Sequence, residues 1–129
     1  MGLTVLDASV LIGLLDRTDA LHARASAGFR RYAGDDVVVP ASAYSESMVA
    51  PARSGRDLVE AVDGFLDKSP IRIVPVDRAI GLRAAAIRAE HRLGLPDALV
   101  IATGESLDAD VVLTADERWR SISLRVMVV

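Results

Sequence analysis

Four acidic residues of this 129-residue chain are placed where apolar segments end, and they are the residues best placed to do chemistry. Each one follows an aliphatic run directly or a few residues later: Asp7, Glu46, Asp97 and Asp116. In an open parallel α/β sheet, the carboxyl ends of the strands meet at one crevice. Four carboxylates gathered there repel one another unless a cation lies between them. The pattern therefore predicts a site for a hard divalent metal ion, and with it phosphate chemistry.

Each of these acids also has an ordinary structural explanation when it is taken alone. Asp7 and Asp97 stand at helix starts, where a carboxylate caps the helix or interacts favourably with its dipole. Asp116 fits a turn or a cap, and Glu46 fits a solvated helix face. The setting shared by all four favours the metal site. Other acids lack that setting and are interpreted as turn residues or solvated positions: Asp35, Asp36, Asp57, Glu60, Asp63, Asp67 and Asp108.

The composition excludes several kinds of site. Half of the residues are apolar, which is typical of a globular chain. The absence of cysteine excludes disulfides and thiolate metal sites, and with only His22 and His91 a histidine-rich zinc site is disfavoured. The net charge of −3 argues against wrapping by nucleic acid, but bound metals and local arginines can reverse the sign of a cleft. No apolar run reaches membrane-spanning length and no signal peptide is recognisable, so we expect a cytoplasmic protein without membrane partners.

The apolar segments alternate with helical patterns, and this alternation predicts the elements that position the acids. Strands are predicted at residues 4–6, 37–39, 71–74, 111–113 and 124–128. Helices are predicted at residues 7–15, 19–32, 41–52, 56–66 and 77–92, with a last one from about residue 96 to about 107. Such a series predicts an α/β fold, a three-layer sandwich with a mostly parallel sheet of four to five strands between helices. We expect one domain over residues 1–129.

Several local signals predict where helices begin and end. Asp19 and Asp77 are placed as N-caps of the second helix and of the long fifth one. The third helix is expected to break near Pro51. Gly94 stands where a C′ glycine ends a helix, and Pro96 suits the start of the next.

In this order and spacing, the segments around the four acids resemble the PIN-domain ribonucleases, and within them the VapC-type toxins of bacterial toxin–antitoxin pairs. The resemblance covers nearly the whole chain. It is carried by residues 5–11 (VLDASVL), Ser45 with Glu46, residues 95–102 (LPDALVIA) and residues 113–119 (LTADERW). The acidic set is complete, whereas Ala115 stands where many relatives have a polar residue.

The resemblance implies a PIN-like fold and a Mg²⁺- or Mn²⁺-dependent endoribonuclease that cleaves RNA phosphodiesters by a metal-activated water. In this interpretation Asp7 and Asp97 hold the principal metal. Glu46 completes that shell or orients the attacking water, and Asp116 helps to hold a second ion. The possible substrate contacts are Ser9, Thr114 and Arg118.

The resemblance also implies a small antitoxin whose tail enters the cleft, and a homodimer. A homodimer is expected from the composition too, because a short, half-apolar chain leaves apolar surface uncovered; helices 41–52 and 56–66 are candidates to pair. Two alternatives stay open. One is a PIN-domain nuclease that works in RNA processing or DNA metabolism without an antitoxin, and the other is an inactive PIN scaffold that only binds a partner.

Overall fold

A computed structural model describes residues 2–129, and its elements alternate as the sequence predicts. The strands are β1 (Leu3–Leu6), β2 (Asp36–Pro40), β3 (Ile71–Val74), β4 (Val111–Thr114) and β5 (Val126–Val128). The helices are α1 (Ala8–Leu15), α2 (His22–Arg31), α3 (Ala41–Ser47), α4 (Val49–Ser54), α5 (Arg56–Lys68), α6 (Arg78–Glu90) and α7 (Leu95–Ser106). A short 3₁₀ helix, Glu117–Ser121, connects β4 with β5. None of the helices in residues 2–129 has the length and apolar character needed to span a membrane.

All five strands are parallel, and they lie in the order β3-β2-β1-β4-β5. The predicted parallel sheet between helices is therefore confirmed. The chain builds one half of the sheet outward from β1 to β3, and then returns to the other side of β1 to add β4 and β5. Strand order thus reverses between β1 and β4, and in sheets of this kind ligands bind beyond the carboxyl ends of the strands at that point.

The sheet is buried on both faces. Neighbouring strand residues such as Val5 and Leu6, or Val38 and Val39, point to opposite faces, yet all of them are fully buried. Helix α7 packs against β1, β2 and β4, and it can approach closely because Gly104 has no side chain where Val112 of β4 lies. This packing fixes the amino end of α7 relative to the ends of the central strands.

Two of the predicted helix boundaries are wrong, and a third lies three residues from its expected place. Asp19 does not cap α2, because its carboxylate accepts the N–H of Leu21 in a local turn before the helix begins. The third helix breaks at Met48, near the expected Pro51, which cannot donate an N–H to the carbonyl of Ser47 and lies in the first turn of α4. Gly94 has extended backbone, φ −67° and ψ 157°, and immediately precedes α7 instead of ending α6.

Two other boundary signals are confirmed. Asp77 caps α6 by accepting the N–H of Ile80 at 2.9 Å. Pro96 lies in the first turn of α7, where its fixed φ suits the helix and its missing N–H leaves no bond unmade.

Candidate active site

The structure brings all four acids to one cleft at the carboxyl end of the sheet. Asp7 follows β1 directly, and Asp116 follows β4 after one residue, so these two lie on either side of the point where strand order reverses. Glu46 is carried by α3, and Asp97 lies in the first turn of α7. The cleft has a volume of about 560 Å³, and its lining includes all four carboxylates.

Asp7 is the most enclosed of the four, with 7% of its surface exposed. It caps α1: one carboxylate oxygen, Oδ1, accepts the N–H of Ala8 at 2.7 Å. The other oxygen, Oδ2, accepts the hydroxyls of Ser9 and Thr114, each at 2.8 Å. A carboxylate offers about four lone-pair positions, and three of these are filled. Asp7 can therefore present one further position, on Oδ1, to a ligand in the cleft.

The two hydroxyls that bind Asp7 are themselves held by backbone N–H groups. Ser9 Oγ accepts from Ala115 at 3.2 Å, and Thr114 Oγ1 accepts from Asp116 at 3.1 Å. Each hydroxyl proton is therefore directed at the Asp7 carboxylate. Thr114 is fully buried, so the direct substrate contact predicted for it is not available in this arrangement, and its hydroxyl orients Asp7 instead. Ser9 also donates its hydroxyl to Asp7, but it still lines the cleft.

Three of the acids have a raised pKa. Burial raises the pKa of Asp7, partly offset by the donors Thr114, Ser9 and Ala8, while Asp116 repels it. Burial also raises the pKa of Glu46, and repulsion from Asp7 and Asp97 acts in the same direction. For Asp97, burial again raises the pKa most, followed by repulsion from Asp7 and Asp116. A cation among these carboxylates would relieve this repulsion.

Asp116 lies in a different environment, because Arg118 neutralises it. Its Oδ1 accepts the backbone N–H of Arg118 at 3.0 Å and the guanidinium Nε at 2.9 Å, and Oδ2 accepts from Nη2 at 2.5 Å. These bonds to Arg118 lower the pKa of Asp116. The Arg118 side chain is 77% exposed, so water and dissolved anions compete for its guanidinium even though the pair is bidentate. The guanidinium of Arg118, which is predicted to contact substrate, therefore lies at the cleft and can exchange Asp116 for a substrate phosphate.

The donor chemistry fits a hard divalent ion that keeps part of its water shell. Within residues 2–129, no three His, Cys, Asp or Glu side chains are gathered closely enough to hold an ion directly between them. Mg²⁺, however, dehydrates reluctantly and is commonly bound through one or two carboxylates and several waters. The free position on Asp7, with Glu46 and Asp97 across the same cleft, meets that requirement.

Two further residues with polar side-chain atoms line the cleft, and the sequence patterns assigned no role to either. Glu117 and Trp119 follow Asp116 in the 3₁₀ helix, and both are part of the wall. In a 3₁₀ helix, residues three apart lie over one another, which returns position 119 to the side of Asp116. A short polar stretch with a single aromatic residue carries no periodicity, so the sequence gives little sign of this placement.

Comparison with known proteins identifies relatives of this fold. The PIN domain family matches residues 4–124. No curated protein sequence gives a significant match. A toxin–antitoxin complex from Klebsiella pneumoniae is similar in structure, with a TM-score of 0.79 and 20% identity over 96% of this chain and 95% of that one.

Two further solved structures are similar in fold, at comparably low sequence identity. VapBC2 from Rickettsia felis, bound to a DNA fragment from its promoter, has a TM-score of 0.76 and 13% identity over 96% of each chain. VapC20 from Mycobacterium tuberculosis, a toxin that cleaves the sarcin–ricin loop, has a TM-score of 0.67 and 18% identity over 84% of this chain and 86% of that one. At such identities the likeness shows the shared fold.

Proposed function

The chain belongs to the PIN-domain family, and we propose that it is a Mg²⁺- or Mn²⁺-dependent endoribonuclease, the toxin of a toxin–antitoxin pair. The family match confirms the resemblance carried by the segments around the four acids. The observation that supports the chemistry best is the cleft itself. Asp7, Glu46 and Asp97 share it with raised pKa values, and among the described residues neither histidine nor lysine contributes to its wall.

We assign the residues of the cleft to distinct tasks. Asp7 and Asp97 would hold the principal ion, directly or through water, with Asp7 offering the free position on Oδ1. Asp116 would help to hold a second ion once Arg118 releases it. When bound, such an ion supplies a water of lowered pKa and neutralises charge that develops on the phosphate. The hydroxyls of Ser9 and Thr114 keep the Asp7 carboxylate in a fixed orientation throughout.

Glu46 is suited to orient the attacking water and to take its proton. Its carboxyl has a pKa raised by burial and by the neighbouring Asp7 and Asp97, and a raised pKa brings a carboxylate closer to the working range of a general base. Arg118 is exposed at the rim, so it can leave Asp116 and bind a phosphate of the substrate with its planar guanidinium.

Attack by water, and not by the ribose 2′-hydroxyl, follows from the residue types in the cleft. Cleavage through the 2′-hydroxyl needs a base for that hydroxyl and an acid for the leaving group, and histidine most often fills such roles. His22 and His91 lie outside the cleft lining. We therefore expect products with 3′-hydroxyl and 5′-phosphate ends.

Analysis of product ends tests this proposal. Purified protein is incubated with total RNA in Mn²⁺ or in EDTA, and the new 5′ ends are sequenced by ligation that requires a 5′-phosphate. We expect discrete cleavage in Mn²⁺, none in EDTA, and ligatable 5′ ends. Cleavage that persists in EDTA, or that leaves 2′,3′-cyclic phosphates, would overturn the mechanism.

An apolar groove beside the cleft supports the antitoxin partner. It has a volume of about 460 Å³ and lies between α1 and α5, with Leu15, Leu58 and Val62 in its wall. Ile12 and Glu46 line both the groove and the acidic cleft, so the two are continuous. A peptide with an apolar segment in the groove could extend a basic residue to the carboxylates, and would exclude both ion and substrate.

Growth of a bacterial host tests the toxin assignment. We expect expression of the chain alone to slow growth, and Asp7→Asn to relieve the effect at an unchanged protein level, because asparagine keeps the shape but removes the charge that a hard cation requires. Equal toxicity of both proteins would remove Asp7 from the proposed centre. A small antitoxin gene directly upstream would distinguish the toxin from a PIN-domain nuclease that works without a partner.

A homodimer is part of the proposal. Val49 of α4 and Phe65 of α5 leave 43% and 63% of their surfaces exposed, on the segment that the sequence marked as a candidate for pairing. Exposed apolar side chains on these helices are available to pack against a second copy of the chain. Light scattering should give the mass of a dimer at micromolar concentration, and a monomer mass throughout that range would count against it.

A further inference from the structure

The indole nitrogen of Trp119 is a buried donor without a partner. Among side-chain nitrogen and oxygen atoms of the described residues, the buried ones that make no hydrogen bond are Ser42 Oγ and Trp119 Nε1. Trp119 is fully buried, so its N–H is not exposed to bulk solvent. Buried polar groups are nearly always hydrogen-bonded, and an exception in an active-site wall indicates a bond that forms in another state of the site.

The carboxylate of Asp116 is an acceptor in the same turn. The backbone N–H of Trp119 donates to the Asp116 carbonyl at 3.2 Å, which places residues 116 and 119 on successive levels of the 3₁₀ turn. Both residues line the acidic cleft. The indole N–H lies close enough to add to the lowering of the Asp116 pKa that Arg118 dominates, but it makes no hydrogen bond of normal geometry.

Arg118 already supplies most of the donors that the Asp116 carboxylate accepts. Its guanidinium donates to both oxygens of Asp116, and the backbone N–H of Arg118 donates to Oδ1 as well. If the guanidinium leaves for a substrate phosphate, Oδ1 keeps its backbone donor whereas Oδ2 loses its donor. The carboxylate could then rotate freely unless a second fixed donor holds it.

We propose that Trp119 is a positioning residue for Asp116: its indole N–H donates to the carboxylate when Arg118 releases it, and so keeps Asp116 directed into the cleft. This inference rests on the proposed function, in which Arg118 binds substrate phosphate and Asp116 receives a cation. An exchange of donors at Asp116 requires one donor that can leave and one that stays in place. Arg118 is exposed and mobile in its rotamers, whereas the indole is fixed by complete burial.

The single tryptophan of the chain makes the contact directly observable. One indole N–H resonance is expected in a ¹H–¹⁵N spectrum, and its proton moves downfield as its hydrogen bond shortens. In Arg118→Gln, measured without metal or RNA, we expect a downfield movement, because Asp116 loses its guanidinium and takes the indole proton. In the double variant Arg118→Gln/Asp116→Asn the movement should be largely lost, because an amide oxygen is a weaker acceptor than a carboxylate.

Arg120→Gln is the matched control, because Arg120 is an exposed arginine of the same 3₁₀ helix that makes no bond to Asp116. Its indole resonance should stay at the native position. An indole proton that does not respond to Arg118→Gln, or that responds equally in Arg120→Gln or in the double variant, would overturn the proposal.

Metal affinity gives the functional readout. In the Arg118→Gln background, where Asp116 is released, Trp119→Phe keeps an aromatic ring in the core but removes the N–H, and we expect affinity for the second Mn²⁺ to fall about tenfold, as is usual when a group that orients a ligand is lost. In an Asp116→Asn background the same change should have almost no further effect. A fall of equal size in both backgrounds would show that Trp119 only packs. If native protein bound no Mn²⁺ while the indole responded as expected, the metal assignment would fail and the contact would stand.

Discussion

Acidic residues lie at both ends of the same sheet, and their partners differ. At the amino end, Asp35 and Asp110 accept the backbone N–H groups of Gly2 and Leu3 at 3.1 and 2.8 Å, which fastens the start of β1 to the segments before β2 and β4. At the carboxyl end, Asp7 is held by two hydroxyls and one N–H, and Asp116 by an arginine. The first pair accepts backbone N–H groups at the start of β1, whereas the second pair lines an open cleft.

A structural carboxylate differs from one available for chemistry in its position and hydrogen-bond partners, not in its residue type. The carboxyl-end acids are crowded by one another and by burial, so that three of them hold raised pKa values. Such crowding is unfavourable to the fold and is typical of sites kept for function. Matched Asp→Asn substitutions at the two ends therefore separate the two kinds of carboxylate.

The largest expected difference is in catalysis. Asp7→Asn should lower the rate of RNA cleavage by roughly 100-fold or more, the scale seen when one preorganised electrostatic contact of an active site is removed. Asp110→Asn should leave the rate within about twofold, because its carboxylate only accepts a backbone N–H far from the cleft. The check is the initial rate on one defined RNA in Mn²⁺. Equal losses in both variants would show that the ends of the sheet do not differ in function.

The next effect is the response of thermal stability to metal. An ion at 100 times its Kd stabilises the folded state by about 2.7 kcal/mol, which corresponds to roughly 10 °C in a domain of this size. We expect such a rise for the native protein and for Asp110→Asn, and a much smaller one for Asp97→Asn. Melting curves with EDTA and with Mn²⁺ measure it. An equal response of all three proteins would place the ion elsewhere.

The pH dependence of the metal-free protein is a smaller effect. Burial and repulsion raise the folded-state pKa of Asp7, Glu46 and Asp97 above the ordinary 3.8 of Asp and 4.5 of Glu. Between the ordinary and the raised values the folded state binds more protons than the unfolded state, so the free energy of unfolding rises as pH falls. We expect the melting temperature in EDTA to increase from neutral pH to about pH 5.

Asp97→Asn sharpens this test, because it removes one of the crowded carboxylates. In EDTA at neutral pH, that variant should be as stable as the native protein or more so, and its gain on acidification should be smaller. If Asp97 only interacted with the dipole of α7, its replacement would instead cost about 0.5–1 kcal/mol at neutral pH, where its carboxylate is charged. A clear loss of stability in EDTA, together with a native melting temperature that does not depend on metal, would contradict the crowded site.

The smallest effect is expected at the amino end. A methyl group on Gly2 would lie 2.8 Å from Asp110 Oδ2 and 3.0 Å from Asp35 Oδ2. These two carboxylates accept the backbone N–H groups of Leu3 and Gly2. Gly2→Ala should therefore cost about 1 kcal/mol, at the low end for overpacking, because side chains at a sheet end can move. Urea unfolding measures the loss, and cleavage should be unchanged. A loss of activity with full stability would mean that the two ends are coupled.

The sequence predicted the strands and the acids that follow them, because both depend on local patterns. Aliphatic runs locate the strands, and a parallel arrangement then brings Asp7 and Asp116 to one end of the sheet. The bond between Thr114 and Asp7 joins residues 107 positions apart, and no local pattern contains it. The same holds for the pairing of Arg118 with Asp116, which depends on a rotamer.

Direct measurement of Mn²⁺ binding tests the central claim, that the acids at the carboxyl end of the sheet form a metal centre. Electron paramagnetic resonance of free Mn²⁺ counts the ions taken up by native protein, Asp7→Asn and Asp110→Asn under the same conditions. We predict at least one ion bound by the native protein and by Asp110→Asn, and affinity at least about tenfold weaker in Asp7→Asn. Native protein that binds no Mn²⁺, or Asp7→Asn protein that binds it as tightly as native, would contradict a metal centre at the carboxyl end of the sheet.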